Sequence, residues 1–411
     1  MNELPEGWVW KKLGEVCETT SGGTPNRKDP SFYGGNIPWV KSGELDKGLI
    51  TDTEEKITEA AIKNSSAKVF PKGTLLIALY GATIGKLAFL GIDAATNQAI
   101  CGIFENKKID SKYLYQFLFF SKAGLVKQGI GGAQPNISQG ILKNLDIPLP
   151  PLPVQHAIVT KIEEIFSELD HGVEQLKTAR QQLKVYRQAV LKWAFEGRLT
   201  NEGVKDGELV EGWKWVKLGS FAVKITDGEH ITPRRTQEGV YLLSARNIQN
   251  GFLDISNVDY IPEDEYLRII KRCNPEEGDI LISCSGSIGR VCRVPSNVRF
   301  TLVRSVALIK LPRSIADSKF FEYQFQSPIL QKQIEKGKKA TAQANLFLGP
   351  INNLEVLIPP IEEQHLIVSE IERRLSVCDK LEETIEGSLK AAEVLRAGVL
   401  KRAFEGRLVG E

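Results

Sequence analysis

The sequence repeats itself at the scale of a whole domain. The string EGWVWKKLG at residues 6–14 returns as EGWKWVKLG at 211–219, and AFEGRL at 194–199 returns unchanged at 403–408. The copies lie about 205 residues apart at the front of each half and about 209 at the back. Solenoids and propellers repeat every 20 to 50 residues or so, which excludes them. The chain therefore consists of two similar halves, and each is long enough to bury a core of its own.

Two linked modules that are similar but not identical suit a ligand with near two-fold symmetry, and double-stranded DNA is the commonest such ligand. The charge distribution agrees with this interpretation. A net charge of +2 divides into about +4 for residues 8–147, about +5 for 213–358 and about −7 for the remaining segments. Each half thus contains one basic block. An excess this small is usually only a solvated surface, but its recurrence in both copies of the repeat favours a phosphate-binding surface in each.

Bulk composition narrows the class of protein further. The 411 residues allow about two to four domains. The six cysteines form no Cys-x-x-Cys pair, which predicts reduced thiols, no metal and no cofactor in this chain. No apolar run approaches the roughly 20 residues that cross a bilayer, and the first residues do not resemble a signal peptide. We expect a cytoplasmic protein without a membrane partner.

Within each half, a block of short apolar runs punctuated by glycine precedes a long periodic stretch. Runs at 74–80 and 279–284 predict strands that end in glycine-rich turns, while 112–122 and 319–332 are helical in pattern. The blocks are therefore predicted to be compact mixed α+β domains with long surface loops.

Prolines mark the start of both long stretches, at 150–153 and at 359–360, where the missing N–H of proline is harmless. A Gln-His pair follows each, at 155–156 and 364–365, and these histidines are predicted to pack or hydrogen-bond at the helix start. Gly197 and Gly406 supply matched helix stops. The apolar residues between are spaced alternately by four and three, as in a coiled coil. In the first helix they are Ile158, Ile162, Ile165, Leu169, Gly172, Leu176, Ala179, Leu183, Tyr186, Val190 and Trp193. In the second helix the spacing is less regular, and the residues are Ile371, Leu375, Cys378, Leu381, Ile385, Leu389, Ala392, Leu395 and Val399.

An apolar stripe on a long helix needs a partner, and each of these helices is the obvious partner of the other. We predict antiparallel pairing of two helices of about 60 Å. The domain boundaries follow: a first globular domain at 1–150, the first long helix at 151–199, a linker and second globular domain at 200–358, and the second long helix at 359–411.

The chain resembles the specificity subunit of type I restriction-modification systems, in which two target recognition domains are separated by two conserved helical regions. In the first block the similar strings are SGGTP at 21–25, YGGNIPW at 33–39, YGATIGK at 80–86 and TNQA at 96–99. In the second they are TDGEHITP at 226–233, SARNI at 244–248 and SGSIGR at 285–290. The second block departs from the first in having VRSVA at 303–307 in place of the Asn-Gln-Ala string, and in lacking the Ile-Pro-Trp run.

The resemblance implies a non-catalytic subunit that binds double-stranded DNA and directs methyltransferase and restriction subunits to it. The resemblance also implies two methyltransferase subunits. The sequence agrees, because it contains no methyltransferase Pro-Pro-Tyr/Phe string, no phosphate-binding loop and no metal-binding cluster. A self-contained restriction or modification enzyme would need a catalytic region for which this length has no room. A coiled-coil scaffold that binds only proteins stays open, as does a subunit of a modification-only complex.

The candidate DNA contacts are basic and amide side chains on glycine-rich segments, since arginine and lysine bind phosphates while arginine, glutamine and asparagine read base edges. In the first block these are Arg27, Lys28, Lys86, Gln134 and Asn136. In the second block they are His230, Arg234, Arg235, Arg246, Asn247, Arg290, Lys338, Lys339, Gln343 and Asn345. If the two DNA-binding domains are held rigidly, we expect a split DNA target whose half-site centres are about 34 to 36 Å apart, or a near multiple of that distance.

Overall fold

The structure, a computed structural model, describes residues 4–129, 136–205, 207–338 and 345–409. It divides into two compact units. Unit 1 contains Met1–Leu176 and Gly387–Glu411, and unit 2 contains Lys177–Glu386. Each unit therefore combines one globular block with part of both long helices. No helix in the described part of the chain is both long and apolar enough to cross a membrane.

The strands are short, as the spacing of glycines in the sequence requires. In unit 1 they are β1 (Val9–Lys12), β2 (Thr19–Ser21), β3 (Tyr33–Val40), β4 (Leu49–Ile50), β5 (Glu55–Ile57), β6 (Val69–Phe70), β7 (Leu75–Ala78), β8 (Leu87–Leu90), β9 (Ala94–Thr96), β10 (Ile100–Ile103) and β11 (Asp146–Leu149). In unit 2 they are β12 (Lys214–Lys217), β13 (Lys224–Asp227), β14 (Val240–Leu243), β15 (Ile248–Gln249), β16 (Phe252–Leu253), β17 (Asp259–Ile261), β18 (Ile280–Ser283), β19 (Val291–Arg293), β20 (Phe300–Leu302), β21 (Val306–Lys310) and β22 (Glu355–Ile358).

Helices of very different lengths connect these strands. They are α1 (Leu13–Val16), α2 (Glu59–Lys63), α3 (Ser111–Gln128), α4 (Gln139–Lys143), α5 (Leu152–Phe195), α6 (Leu218–Phe221), α7 (Glu263–Ile269), α8 (Ser318–Gln326), α9 (Pro328–Gly337), α10 (Leu348–Asn352) and α11 (Ile361–Phe404). Short 3-10 turns occur at Pro30–Phe32, Ser42–Lys47, Gly81–Thr83 and Ala245–Asn247.

The same central sheet recurs in both units. In unit 1 the strand order is β2-β10-β7-β8-β4, and in unit 2 it is β13-β21-β18-β19. A second sheet accompanies each, with order β5-β3-β9-β6 in unit 1 and β17-β14-β20 in unit 2. The first and last strands of each block pair antiparallel, β1 with β11 and β12 with β22. The predicted mixed α+β class and the internal repeat are both confirmed.

The predicted strands at 74–80 and 279–284 are confirmed as β7 and β18, whose residues are all buried. The helical pattern at 319–332 is two helices rather than one. Pro328 cannot donate a backbone hydrogen bond, so α8 ends before it and α9 begins with it. The Ser327 hydroxyl caps the new helix by accepting a hydrogen bond from the Leu330 N–H at 3.4 Å.

Proline and glycine bound the two long helices as the sequence predicts. Helix α5 begins directly after Pro151 and α11 directly after Pro360. Both helices end two residues before a glycine with positive φ, Gly197 at 77° and Gly406 at 71°. A side chain at either glycine would also collide with a neighbour, since an added Cβ would lie 2.3 Å from Val210 and 2.1 Å from Pro5 respectively.

Each unit contains an antiparallel pair made from the two long helices. In unit 1, Ile158 and Ile162 from the start of α5 share a core with Val399 and Ala403 from the end of α11. In unit 2, residues from the end of α5 share a core with residues from the start of α11, among them Val190, Phe195, Ile367 and Ile371. The predicted antiparallel pairing is therefore confirmed within each unit.

The apolar stripe of α11 follows a stricter path than the sequence suggested. Buried residues recur every seven positions, at Ile371, Cys378, Ile385, Ala392 and Val399. Leu381 and Leu395, which we assigned to the stripe, are instead 47% and 53% exposed. The α5 stripe holds, apart from Tyr186, which is exposed.

Charged residues take the places that Leu381 and Leu395 were expected to fill. Glu382 lies on the inner face of α11 and accepts a hydrogen bond from Arg187 at 3.0 Å. Arg396 pairs with Asp170 and lies 4.7 Å from the centre of the Phe166 ring. Hydrophobicity alone could not identify these positions, because an ion pair across the helices substitutes there for an apolar contact.

Candidate nucleic-acid interface

Three turns meet at one end of the central sheet of unit 1. They are residues 22–24 after β2, 79–86 after β7 and 97–99 before β10. Because β10 runs antiparallel to both β2 and β7, these turns lie at the same end of the sheet. Asn136 joins them through an isolated bridge to Tyr80. We call this arrangement the glycine-turn cluster.

Unit 2 contains a second glycine-turn cluster with the same construction. Its turns are residues 228–230 after β13, 284–290 after β18 and 303–305 before β21. Asn345 forms the bridge here, with Ser285. Glycines with positive φ shape the turn in both units, Gly81 and Gly85 in unit 1 and Gly286 and Gly289 in unit 2. The glycine-rich turns predicted at the ends of these two strands, β7 and β18, are confirmed.

The two clusters share backbone hydrogen bonds as well as topology. The Gly22 N–H donates to the Ile100 carbonyl at 2.9 Å, and the Gly228 N–H donates to the Val306 carbonyl at 3.1 Å. A Cβ at Gly22 would lie 2.0 Å from the Thr96 hydroxyl oxygen. A Cβ at Gly228 would be as close to backbone. Glycine is therefore required at this point, because the adjacent turn approaches the bare backbone.

Two of the predicted residues of unit 1 lie in its cluster. Asn136 is the exposed bridging residue, and Lys86 closes the glycine turn with its ammonium group 2.5 Å from Asp46. Arg27 lies on a different loop, with its guanidinium over the rings of Tyr33 and Trp39, 4.7 and 4.8 Å from their centres. Lys28 beside it is exposed.

An ion pair further constrains Arg27. Its guanidinium contacts Glu55 at 2.5 Å, and this hydrogen bond lowers the pKa of the Glu55 carboxyl. The pair and the two rings hold the guanidinium in one orientation while half of the side chain stays exposed. Stacking of this kind leaves an arginine edge accessible to a phosphate.

In unit 2, the glycine-turn cluster brings together three predicted residues. His230 and Asn345 line one hollow of about 520 Å³, and Arg290 ends the glycine turn beside it. The imidazole of His230 contacts Asp227 at 2.8 Å. Such a pair orients the ring.

Three predicted arginines lie apart from this cluster, around β17 and α7. Arg235 and Arg246 both approach Asp259, at 3.3 and 3.1 Å, and Arg234 pairs with Asp264 at 2.9 Å. These pairs are exposed and so contribute only about 0 to 1 kcal/mol each. A phosphate could replace the carboxylate partner at little cost in stability.

One predicted DNA contact has a structural explanation instead. Asn247 is 2% exposed, and its amide nitrogen donates to two carbonyl groups, those of Asp254 and Asn257, at 2.9 Å each. Its amide oxygen accepts from the Ser244 N–H. Burial removes this side chain from any DNA surface, so we leave it out of the interface. Lys338 follows α9 and pairs with Glu335.

The predicted residues Gln134, Lys339 and Gln343 lie outside the described residues.

Sequence reasoning missed two exposed residues of the glycine-turn clusters, Gln98 in unit 1 and Arg304 in unit 2. The sequence did mark this position, because Asn-Gln-Ala in the first half is replaced by Val-Arg-Ser in the second. We interpreted the exchange only as a departure from the repeat, and not as a position at which the two blocks differ in chemistry.

The glutamine of each Gln-His pair fastens its globular block to its long helix. Gln155 accepts from the Asp110 N–H at 2.8 Å and donates to the Pro150 and Lys108 carbonyls at 2.8 and 3.3 Å. Its counterpart in unit 2, Gln364, makes the same set of bonds to Asp317, Pro359 and Ile315.

The histidines beside these glutamines each lie near an aspartate at the helix start. His156 lies 3.5 Å from Asp110, and His365 lies 3.6 Å from Asp317. Each aspartate also caps the following helix, α3 or α8. The joint between block and helix is therefore the same in both units.

A family model described as the type I restriction modification DNA specificity domain matches the chain twice, at residues 5–183 and 210–391. Relatives include the EcoBI specificity subunit of Escherichia coli, 27% identical over 77% of this chain and 70% of that protein. The EcoKI specificity subunit of E. coli is 24% identical over 100% and 91%. The MjaIX specificity subunit of Methanocaldococcus jannaschii is 28% identical over 88% and 85%.

Two solved structures share the fold. One chain comes from work on complex assembly and conformational transition of the type I R-M system, with a TM-score of 0.76, 20% identity and coverage of 99% of this chain and 100% of that one. The other is the HsdS subunit from Thermoanaerobacter tengcongensis, with a TM-score of 0.62, 21% identity and coverage of 99% of both chains.

Proposed function

We propose, because the chain belongs to the type I restriction-modification DNA specificity family, that it recognises a bipartite DNA target and directs methyltransferase and restriction subunits to it. In keeping with that family, the chain is a specificity subunit and not itself an enzyme. In this proposal it acts on DNA in the cytoplasm and needs no cofactor of its own.

The observation that carries the proposal is the doubled glycine-turn cluster. The backbone of the two clusters is the same, down to the hydrogen bonds of Gly22 and Gly228, whereas the side chains they present differ. Two domains that recognise different short DNA sequences are expected to share a backbone and to differ in their side chains, because base edges are distinguished by side-chain donors and acceptors. The Lys and Arg residues of the two blocks supply the phosphate contacts.

Matched apolar patches on the long helices support the binding of two methyltransferase subunits. Val185 and Tyr186 on α5 are exposed, and so are Val394 and Leu395 on α11. The repeat places these pairs at corresponding positions, since each member of the second pair lies 209 residues after its counterpart. Unit 2 therefore carries one patch and unit 1 the other. In the proposal each patch binds one methyltransferase subunit, and restriction subunits join that core.

A gel shift with salt titration tests the DNA-binding part. The protein and its methyltransferase subunits are mixed with a random duplex and with the duplex whose methylation they direct, at rising salt. A DNA reader loses affinity steeply and linearly in log salt on both, and retains preference for its target. A coiled-coil scaffold that binds only proteins shows no shift at any salt. The mass of the assembled complex, measured alongside, should correspond to two methyltransferase subunits per chain.

A further inference from the structure

Gln98 and Arg304 occupy the same position in the two glycine-turn clusters. Each lies in the turn that leads into a central strand, β10 in unit 1 and β21 in unit 2. The carbonyl of the next residue, Ala99 or Ser305, accepts a hydrogen bond from the residue after β7 or β18, at 2.7 and 2.8 Å. Their backbone N–H groups both donate to the neighbouring glycine-rich turn, at 3.3 and 3.0 Å. The position is therefore set by the backbone and is independent of the side chain.

Both side chains are exposed, and within the described ranges neither makes a side-chain hydrogen bond or ion pair. For Arg304 this is unusual, because two carboxylates lie on the adjacent turn. Those carboxylates already have partners: Asp227 pairs with Arg272 at 2.5 Å, and Glu229 pairs with Arg268 at 3.1 Å. The fold thus neutralises the nearby acids with other arginines and keeps the Arg304 guanidinium available.

The surroundings of Arg304 are those of a recognition site. It lines the hollow of about 520 Å³ together with His230, Ser285 and Asn345. His230, Ser285 and Arg304 come from the three turns of the cluster and Asn345 from the segment that bridges to Ser285, so hydrogen-bonding groups from four segments surround a common space. In unit 1 the corresponding surroundings of Gln98 are Thr24, whose hydroxyl accepts from the Gln98 N–H, together with exposed Tyr80 and Asn136.

We infer that Gln98 and Arg304 are corresponding base-reading residues of the two units, with Gln98 recognising adenine and Arg304 recognising guanine. The amide of glutamine matches the N6 and N7 groups of adenine, and the guanidinium fork matches O6 and N7 of guanine. A side chain whose donors are unpaired in the free protein can bind a base without first breaking another contact. Gln98 and Arg304 meet that condition, whereas Arg234, Arg235 and Arg246 are paired with carboxylates.

The inference rests on the proposed function and is tested in the assembled methyltransferase complex by mapping methylated sites on genomic DNA. Arg304→Gln should replace one G·C pair of one half-site by A·T, and Gln98→Arg should make the reverse change at one position of the other half-site. Arg304→Lys keeps the charge but loses the fork. It should retain DNA binding while discrimination at that base pair falls roughly 5- to 150-fold.

Arg313→Gln is the matched control, because it removes the same charge from an exposed arginine of unit 2 that lines a different hollow. It should leave the motif unchanged. A phosphate contact would give a different pattern: Arg304→Ala would weaken binding to every duplex equally, Arg304→Lys would restore it, and the motif would not change. That pattern, or an unchanged motif in Arg304→Gln and Gln98→Arg, would overturn the inference. The proposed function would still hold if the wild-type complex methylates a bipartite site.

Discussion

A buried amide fastens each globular block to its long helix. Gln155 and Gln364 are fully buried, and each satisfies three backbone groups that belong to two different segments. A buried backbone N–H or carbonyl without a partner costs about 1 to 3 kcal/mol. A neutral amide supplies one acceptor and two donors without the desolvation penalty of a charged side chain.

Replacement of this amide by an apolar side chain should therefore destabilise the joint. We expect Gln155→Leu to lower the free energy of unfolding by about 1 to 3 kcal/mol, because it leaves the Asp110 N–H and two carbonyls unpaired. Thermal unfolding followed by circular dichroism measures the effect. His156→Ala is the control: this side chain is exposed, so a loss below about 0.5 kcal/mol is expected. Equal losses in the two variants would contradict the role assigned to the amide.

At the scale of the element, the inner face of α11 is defined by a seven-residue repeat and not by hydrophobicity as such. Ile385 lies on the repeat and is buried, whereas Leu381, one turn earlier, is half exposed. Glu382 takes the intervening inner position and is satisfied by Arg187. Two large aliphatic residues four positions apart thus have different roles, which makes them a test of the helix pairing.

Alanine at each position separates these roles. Ile385→Ala removes three methyl or methylene groups from a packed interface and should cost about 2 to 4 kcal/mol of unfolding free energy. Leu381→Ala should change it by less than about 0.5 kcal/mol, since the side chain is largely in contact with water and alanine favours helix. Chemical denaturation of both variants gives the comparison. A larger loss for Leu381 would place the stripe where the spacing of apolar residues first suggested.

At the scale of the whole molecule, we predict that the paired long helices set the spacer between the two half-sites of the DNA target. Removal of one turn, four residues, from α5 near Leu176 and from α11 near Gly387 would shorten both helices by about 6 Å. The spacer between the half-sites should then shorten by a base pair or two, with both half-sites unchanged. Methylation mapping of the deletion variant provides the measurement. Altered half-sites with an unchanged spacer would show that the helices do not set the distance.

Features that depend on neighbours in the chain were accessible from the sequence. The repeat, the proline starts and glycine stops of α5 and α11, and the buried strands β7 and β18 all follow from local rules of backbone geometry and hydrophobic pattern. The break between α8 and α9 at Pro328 is a local feature as well. We predicted one helix there because we gave the helical spacing of apolar residues more weight than the proline.

Only the tertiary structure decided which polar side chains are buried, which are paired and which are exposed without a partner in the described part of the chain. Asn247 was a predicted DNA contact and Gln98 was not, yet Asn247 is buried against the backbone of another turn and Gln98 is exposed at the end of the central sheet. Arg235 and Arg304 are both exposed arginines, but of the two only Arg235 pairs with a carboxylate. Its partner is Asp259, which lies 24 residues later in the sequence. The availability of a charge depends on partners brought close by folding, and a linear pattern of residues does not contain that distance.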